Sequence, residues 1–138
     1  MLTAYYVLLD DGGSSGVRFG CNDSLVGLAR AAPGTEPLLT AAMNALLQGA
    51  GDADIPLDPI EVSDVYNALD GSELTFLSGS YDGTTVTVYL AGTLSLGGAC
   101  DVPRVEAQLT HTAVAAVGAI RADVYVNGQP LSEALRQD

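Results

Sequence analysis

Apolar and polar residues change period several times along this chain, and each change marks an element. The first run, Thr3 to Asp10, carries Tyr5-Tyr6-Val7-Leu8-Leu9 and ends in Asp10-Asp11-Gly12-Gly13, a strand closed by a turn. Val17-Arg18-Phe19 reads as a short extended piece. Leu25 to Arg30 is apolar on both sides of the alternation, which suits a strand buried on two faces. Thr35 has the side chain of an N-cap, with Glu36 and Pro37 in the first turn behind it. From there the spacing predicts a helix to Gln48, with Leu39, Ala42, Met43, Leu46, Leu47 and Ala50 on one face. Gly49 and Gly51 supply the stop.

The middle of the chain is irregular. Gly51 to Asp64 holds two prolines and five acids and reads as a surface connection, followed by a short helical turn over Val65–Leu69. Two strands, Glu73–Tyr81 and Thr84–Leu90, then flank Asp82-Gly83, the favoured sequence of a type I′ hairpin turn. Val86, Val88 and Leu90 point one way; Thr85, Thr87 and Tyr89 point the other. After the glycine-rich loop Gly92–Gly98, Asp101 caps a second helix with Pro103 in its first turn. Val102, Val105, Leu109, Ala113, Ala116 and Val117 form its apolar stripe, and Gly118 ends it. In the last strand, Ile120–Val126, the residues Ile120, Ala122, Val124 and Val126 alternate inward against Arg121, Asp123 and Tyr125. Asn127-Gly128 turns the chain again, and Leu131–Asp138 reads as a weak helical turn.

The resulting order, β-β-α-β-β-α-β, predicts an α+β fold. Two helices with one apolar face each need a sheet to lie on, so the expected architecture is a two-layer sandwich: a mixed sheet with both helices packed on one face. No repeat or linker divides the chain, and residues 1–138 read as a single domain.

Composition narrows the function classes. Hydrophobic residues make up 48% of the 138, enough to bury a core and too many for a disordered chain. Seventeen acids face five bases, a net charge of −12, and all five bases are arginine. Such a surface is a poor match for nucleic acid or anionic lipid. No apolar run approaches the roughly 20 residues of a membrane helix. The N-terminus has neither the basic start nor the cleavage site of a signal peptide, so the expectation is a cytoplasmic protein or a chain that begins after a removed leader.

Candidate chemistry is sparse. His111 is the single histidine, and its helical phase places it opposite the apolar stripe, beside Arg104 and Gln108, as a solvated side chain. The loop Gly92–Gly98 precedes a helix but has no basic residue and neither phosphate-loop spacing, and Asp101 occupies the cap. The serines lie in no nucleophile-elbow sequence. Asp52, Asp54, Asp58, Glu61 and Asp64 lack the EF-hand spacing, which leaves weak cation binding by an acidic loop as the most they offer. Carboxylate-based glycoside hydrolysis wants an aromatic groove, and this chain has six tyrosines, two phenylalanines and no tryptophan. Two cysteines, Cys21 and Cys100, are too few and too far apart for zinc. Two alternatives stand for them: a disulfide closing a loop of about 80 residues, worth about 4 kcal/mol, or two unpaired thiols packed as small hydrophobes.

Several segments taken together resemble the GerMN domain family of sporulation and spore germination proteins. They are Gly20-Cys21-Asn22-Asp23-Ser24-Leu25-Val26 with Arg30, and Ala42-Met43-Asn44-Ala45-Leu46-Leu47-Gln48-Gly49. The Asp82-Gly83 hairpin ending in Val88-Tyr89-Leu90 and Gly92-Thr93-Leu94 with Gly97-Gly98-Ala99-Cys100-Asp101 also fit. Arg104-Val105, Gln108-Leu109-Thr110 and Val124-Tyr125-Val126-Asn127-Gly128-Gln129-Pro130-Leu131 complete the pattern, which runs from about residue 3 to 131. Gly27 stands where the family often has proline, and the acidic loop 51–64 is long for it.

The resemblance implies an α+β fold similar to the ring-building motifs of envelope assemblies. It implies an extracytoplasmic, often lipoprotein, setting in bacteria, with an anchor or leader outside this sequence. It implies a binding or assembly role with no catalytic residues, cofactor or metal to carry over. A cysteine-containing subgroup similar to this chain favours the Cys21–Cys100 disulfide. The expectation is therefore a non-enzymatic envelope domain whose partner is an envelope protein or cell-wall component, contacted through Asn22, Asp23, Leu96, Gly97 and Gly98. Two alternatives are a carboxylate-dependent hydrolase of cell-wall material, which needs a deep pocket with converging acids, and a self-assembling ring or filament module, which needs an open strand edge or apolar patch.

Overall fold

The computed structural model of the protein describes residues 2–14, 16–30, 37–48 and 66–135. In chain order the elements are β1 (Leu2–Leu8), β2 (Val17–Phe19), β3 (Asp23–Arg30), α1 (Leu38–Gln48), β4 (Glu73–Tyr81) and β5 (Thr85–Thr93). Then come α2 (Asp101–Val117), β6 (Arg121–Val126), β7 (Gln129–Pro130) and α3 (Leu131–Ala134). The fold is α+β, and its order contains the predicted one: the extended piece Val17–Phe19 is strand β2, the helical turn expected from Leu131 is α3, and only the short strand β7 is added. Thr35, Ala50 and the acidic stretch 51–64 lie outside the described residues.

The strands form two hydrogen-bonded sheets where the sequence predicted one. One is antiparallel, in the order β1-β3-β2; the other is mixed, in the order β4-β5-β6-β7, with β5 and β6 parallel. The reason lies at the outer edge of β1. The Tyr5 amide donates to Thr112 Oγ1 at 3.0 Å, and Gln108 Nε2 donates to the Tyr5 carbonyl at 3.0 Å, both from α2. Two residues on, Val7 exchanges both backbone bonds with Tyr66, at 2.9 and 2.6 Å. Helix side chains and one bridging residue stand where the other sheet would have to join, so the edge is closed without a neighbouring strand.

Both helices lie across the two sheets. α1 packs on β1 and β4, α2 on β1 and β6, and the helices also pack on each other. The central strand β3 buries Leu25, Val26 and Leu28, in line with its two-sided apolar sequence. Ala4 and Tyr6, Met43 and Leu46, Val86, Val88 and Leu90, Val105 and Leu109, and Val124 and Val126 join in one core cluster.

Two local expectations change. A type I′ turn needs positive φ at both central residues; Gly83 has it (98°) and Asp82 does not. Asp82 instead accepts the amides of Thr84 and Thr85 on its carboxylate at 2.9 and 2.8 Å, an Asx-type turn. Asn127 and Gly128, at 53° and 82°, follow the I′ pattern. Ile120, expected to point inward, is 79% exposed, because it sits before β6 just after the left-handed Gly118 cap of α2.

Candidate functional site

The turn between β2 and β3 and the start of α2 meet at one edge. Gly20 (φ 54°) and Asn22 (φ 73°) both adopt left-handed backbone there, which glycine and asparagine tolerate best. A Cβ on Gly20 would come within 3.0 Å of Pro103, so the turn packs directly on the first turn of the helix. Cys21 and Cys100 are joined by a disulfide across this contact, with Cα atoms 5.9 Å apart.

Beneath the disulfide, Arg104 holds two buried carboxylates. Its Nε donates to Asp23 Oδ2 at 2.8 Å and its Nη1 to Asp101 Oδ1 at 3.0 Å. Asp101 also accepts the Gly97 amide at 2.7 Å and the Tyr66 hydroxyl at 2.9 Å, while Asp23 accepts the Asp10 amide at 2.9 Å. The guanidinium lies 5.3 Å from the Tyr66 ring centroid. Burial pushes both carboxyls up, but the hydrogen bonds and charge of Arg104, with the amides, outweigh it and hold both below the ordinary value. Tyr66 is pushed up by burial and by Asp101.

The five predicted contact residues fall into two groups. Asp23 is 1% exposed and engaged with Arg104; it supports the edge from below. Asn22 is half-buried and held, accepting from Arg18 Nε and donating to Asp10 Oδ1. Leu96 is half-buried against the core, Gly97 donates to Asp101, and Gly98 is exposed with open space where a Cβ would go. The sequence predicts Asp101 as the N-cap. That place belongs to Cys100, and Asp101 is the first helical residue, its carboxylate turned back to the loop.

The sequence places Arg104 and Gln108 beside a solvated His111. His111 is exposed, but Gln108 is fully buried and bonds the Ala68 amide, Tyr5 carbonyl and Asn67 side chain. The signal available for Arg104 was its scarcity: few arginines serve a chain this acidic, and one lies a turn from Asp101. The cation-binding acids Asp52, Asp54, Asp58, Glu61 and Asp64 lie outside the described residues. Among the described residues no three His, Cys, Asp or Glu side chains gather to hold a metal.

A second feature is an open cleft of about 230 Å³ between α2, β6 and the start of α3, with Glu106, Thr110, Asp123, Tyr125, Leu131 and Ser132 in its wall. It falls below the roughly 300–1,000 Å³ of ordinary small-molecule pockets. Glu106 and Asp123 are both exposed, so the converging, sequestered acids of the hydrolase alternative are not what this cleft presents. For the self-assembly alternative, β4 is an edge strand uncharged from Leu74 to Tyr81, interrupted by a bulge between Phe76 and Ser78 that exposes Leu77. No described helix is long and apolar enough to cross a membrane. Comparisons with protein families, with curated proteins and with solved structures find no match.

Proposed function

We propose that this chain is a non-catalytic binding or assembly domain of a bacterial cell-envelope or sporulation-related protein, acting outside the cytoplasm, as its resemblance to the GerMN domains implies. The observation that carries the reading is the Cys21–Cys100 disulfide. Structural disulfides persist in oxidising compartments and are rare in a reducing cytosol. This one joins two surface segments that have no other covalent reason to stay together, and the ion pairs beneath it make the edge rigid. A rigid edge loses little conformational entropy on binding. The contact surface is Asn22 with Leu96, Gly97 and Gly98, underpinned by Asp23; its partner is an envelope protein or a cell-wall component.

Two measurements test this. Thiols are alkylated in the unfolded, unreduced protein taken from its native cells, and the cells are fractionated. The expected result is thiols protected until reduction, in protein that travels with the envelope. Free thiols in a cytosolic protein overturn the compartment. Gly98→Trp, whose Cβ meets open space, should then abolish retention on isolated envelopes while leaving the urea midpoint in place. Unchanged retention overturns the surface.

A further inference from the structure

Each sheet has two edges, and three of the four are closed or guarded. The β1 edge is taken by Thr112, Gln108 and Tyr66. Strand β2 is three residues long and carries Arg18; β7 is two residues long and ends in Pro130. Short length, charge and proline are the usual guards of an edge. Strand β4 is nine residues long, and past its bulge Ser78-Gly79-Ser80-Tyr81 carries none of them, in a chain of net charge −12. The Asp82 amide donates to the Thr85 carbonyl at 3.2 Å, which makes Asp82 and Thr85 a hydrogen-bonded pair. Such pairs alternate with non-bonded ones along an antiparallel ladder. Ser80 and Ser78 therefore bond toward β5, opposite Thr87 and Tyr89, while Gly79 and Tyr81 turn their N–H and C=O groups outward. Among the described residues nothing pairs with those groups. Gly79 is exposed even though Leu39 lies where its Cβ would be. A glycine has only backbone to expose, so this edge is open to solvent.

We propose that this edge pairs with the same edge of a second copy, antiparallel about a two-fold axis at Ser80, joining two four-stranded sheets into one. The outward groups fix the register. Gly79 stands opposite the partner's Tyr81 and Tyr81 opposite the partner's Gly79, and each pair exchanges both backbone bonds. A shift of one residue sets inward-bonding serines against them. A shift of two brings in the bulge at Leu77 or the turn at Gly83. Ser80 then faces the partner's Ser80 as a non-bonded pair, with Cα atoms about 4.5 Å apart, close enough for the hydroxyls to meet. Tyr81, 42% exposed, gains a glycine as its cross-strand neighbour, an arrangement in which an aromatic ring shields bare backbone. Charge selects the occupant. Nothing from Leu74 to Tyr81 attracts an acidic or a basic segment, whereas a second copy brings the same uncharged strand. In this register the Asp82 residues at the ends of the paired stretch stand about 14 Å apart, beyond a Debye length of about 8 Å in physiological salt. This surface is separate from the disulfide edge and uses none of its residues.

Sedimentation of the whole chain over a concentration series tests this. A monomer–dimer equilibrium is expected, and it should tighten as salt rises, because two chains of net charge −12 repel each other. Ser80 is exposed, so its substitution leaves the single copy folded, which an unchanged urea midpoint checks. Ser80→Glu and Ser80→Lys each set like charges opposite one another on the axis, and each should weaken the dimer about fivefold or more. Ser80→Cys should form an interchain disulfide on air oxidation, since the native cysteines are bonded to each other. Thr87→Cys, one strand further in, should not, because the two thiols would be far beyond bonding reach. A chain that stays monomeric at about 1 mM overturns the proposal. So does a dimer that Ser80→Glu weakens and Ser80→Lys tightens, since overall charge and not this axis would then govern it. Cross-linking through Thr87→Cys as readily as through Ser80→Cys overturns the register and with it the interface.

Discussion

Arg104 reaches back across 81 residues to grip Asp23, Nε to Oδ2 at 2.8 Å, directly beneath the Cys21–Cys100 disulfide. The covalent and ionic links join the same two segments, the β2–β3 turn and the first turn of α2. The disulfide lies at the surface and the ion pair inside, with Asp23 1% exposed. Chain entropy gives the disulfide about 4 kcal/mol by narrowing the unfolded ensemble, whereas the ion pair acts in the folded state alone. The two are therefore separable by experiment.

Arg104→Gln should destabilise the protein by about 3 kcal/mol, because it leaves two buried carboxylates, Asp23 and Asp101, without their arginine. Urea unfolding of the variant checks this. Asp23→Asn combined with Arg104→Gln should cost clearly less than the two singles together, since the double variant removes one of the two buried carboxylates that lose Arg104, and the other, Asp101, keeps the Gly97 amide and the Tyr66 hydroxyl. Simple additivity would mean that the two residues do not act as a pair.

The same network sets a pH window. Asp23 and Asp101 titrate below the ordinary 3.8: burial alone would raise them, and Arg104 with the Asp10 and Gly97 amides more than reverses it. A carboxyl with a depressed folded value contributes stability that is complete above its unfolded value, about 4, and is lost as pH falls through the folded value. Tyr66 has the opposite sign. Burial and the Asp101 carboxylate raise it above 10.0, so its contribution is complete below about 10 and is lost as pH rises through the folded value. Urea midpoints measured from pH 2 to 11 should fall at both ends. Arg104→Gln should flatten the acid limb, and an unchanged acid limb in that variant would assign acid unfolding to other carboxylates.

Gln108 carries the closure of β1. It is fully buried and satisfies the Ala68 amide, the Tyr5 carbonyl and the Asn67 side chain at 2.9–3.0 Å. Gln108→Leu keeps the volume and strands these groups, so a loss of about 3 kcal/mol is expected. Native-state hydrogen exchange gives the local readout: the Ala68 amide should exchange much faster in the variant while amides of β5 follow global stability alone.

What was legible in the sequence, and what was not, divides along one physical line. Period-2 alternation in Thr85–Leu90 and the 3–4 spacing of Val105, Leu109 and Ala113 report burial of apolar groups, and those elements lie where the patterns put them. Arg104, Gln108 and Thr112 broke the rule because they are polar residues on a buried helix face. Their burial is favourable only because Asp23 and the backbone of Tyr5 and Ala68 are within reach, and local pattern carries no record of such partners. The division into two sheets has the same origin, since it depends on α2 side chains occupying the β1 edge. Of the candidate site, the cysteines and the loop were visible as a cluster of glycine and aspartate. The burial of Asp23 was not, because a carboxylate in a turn reads as solvated until its arginine is placed.

The glycines of the loop offer a test that separates conformational need from surface role. Gly92 has φ 135° and a Cβ there would collide with the Glu73 carbonyl across the β4–β5 pair, while its own backbone is bracketed by the Asn127 side chain at 2.8 and 3.0 Å. Gly92→Ala should therefore cost about 3 kcal/mol, at the upper end for a forced backbone conformation. Gly98 has no such constraint: its φ is outside the left-handed region and nothing lies within 4 Å of a Cβ built on it. Gly98→Ala should be neutral or stabilise by up to about 1 kcal/mol, through the unfolded chain. Paired urea titrations decide it. A large loss in Gly98→Ala would mean that the loop needs glycine for its own fold, and a surface role would no longer be required to account for that residue.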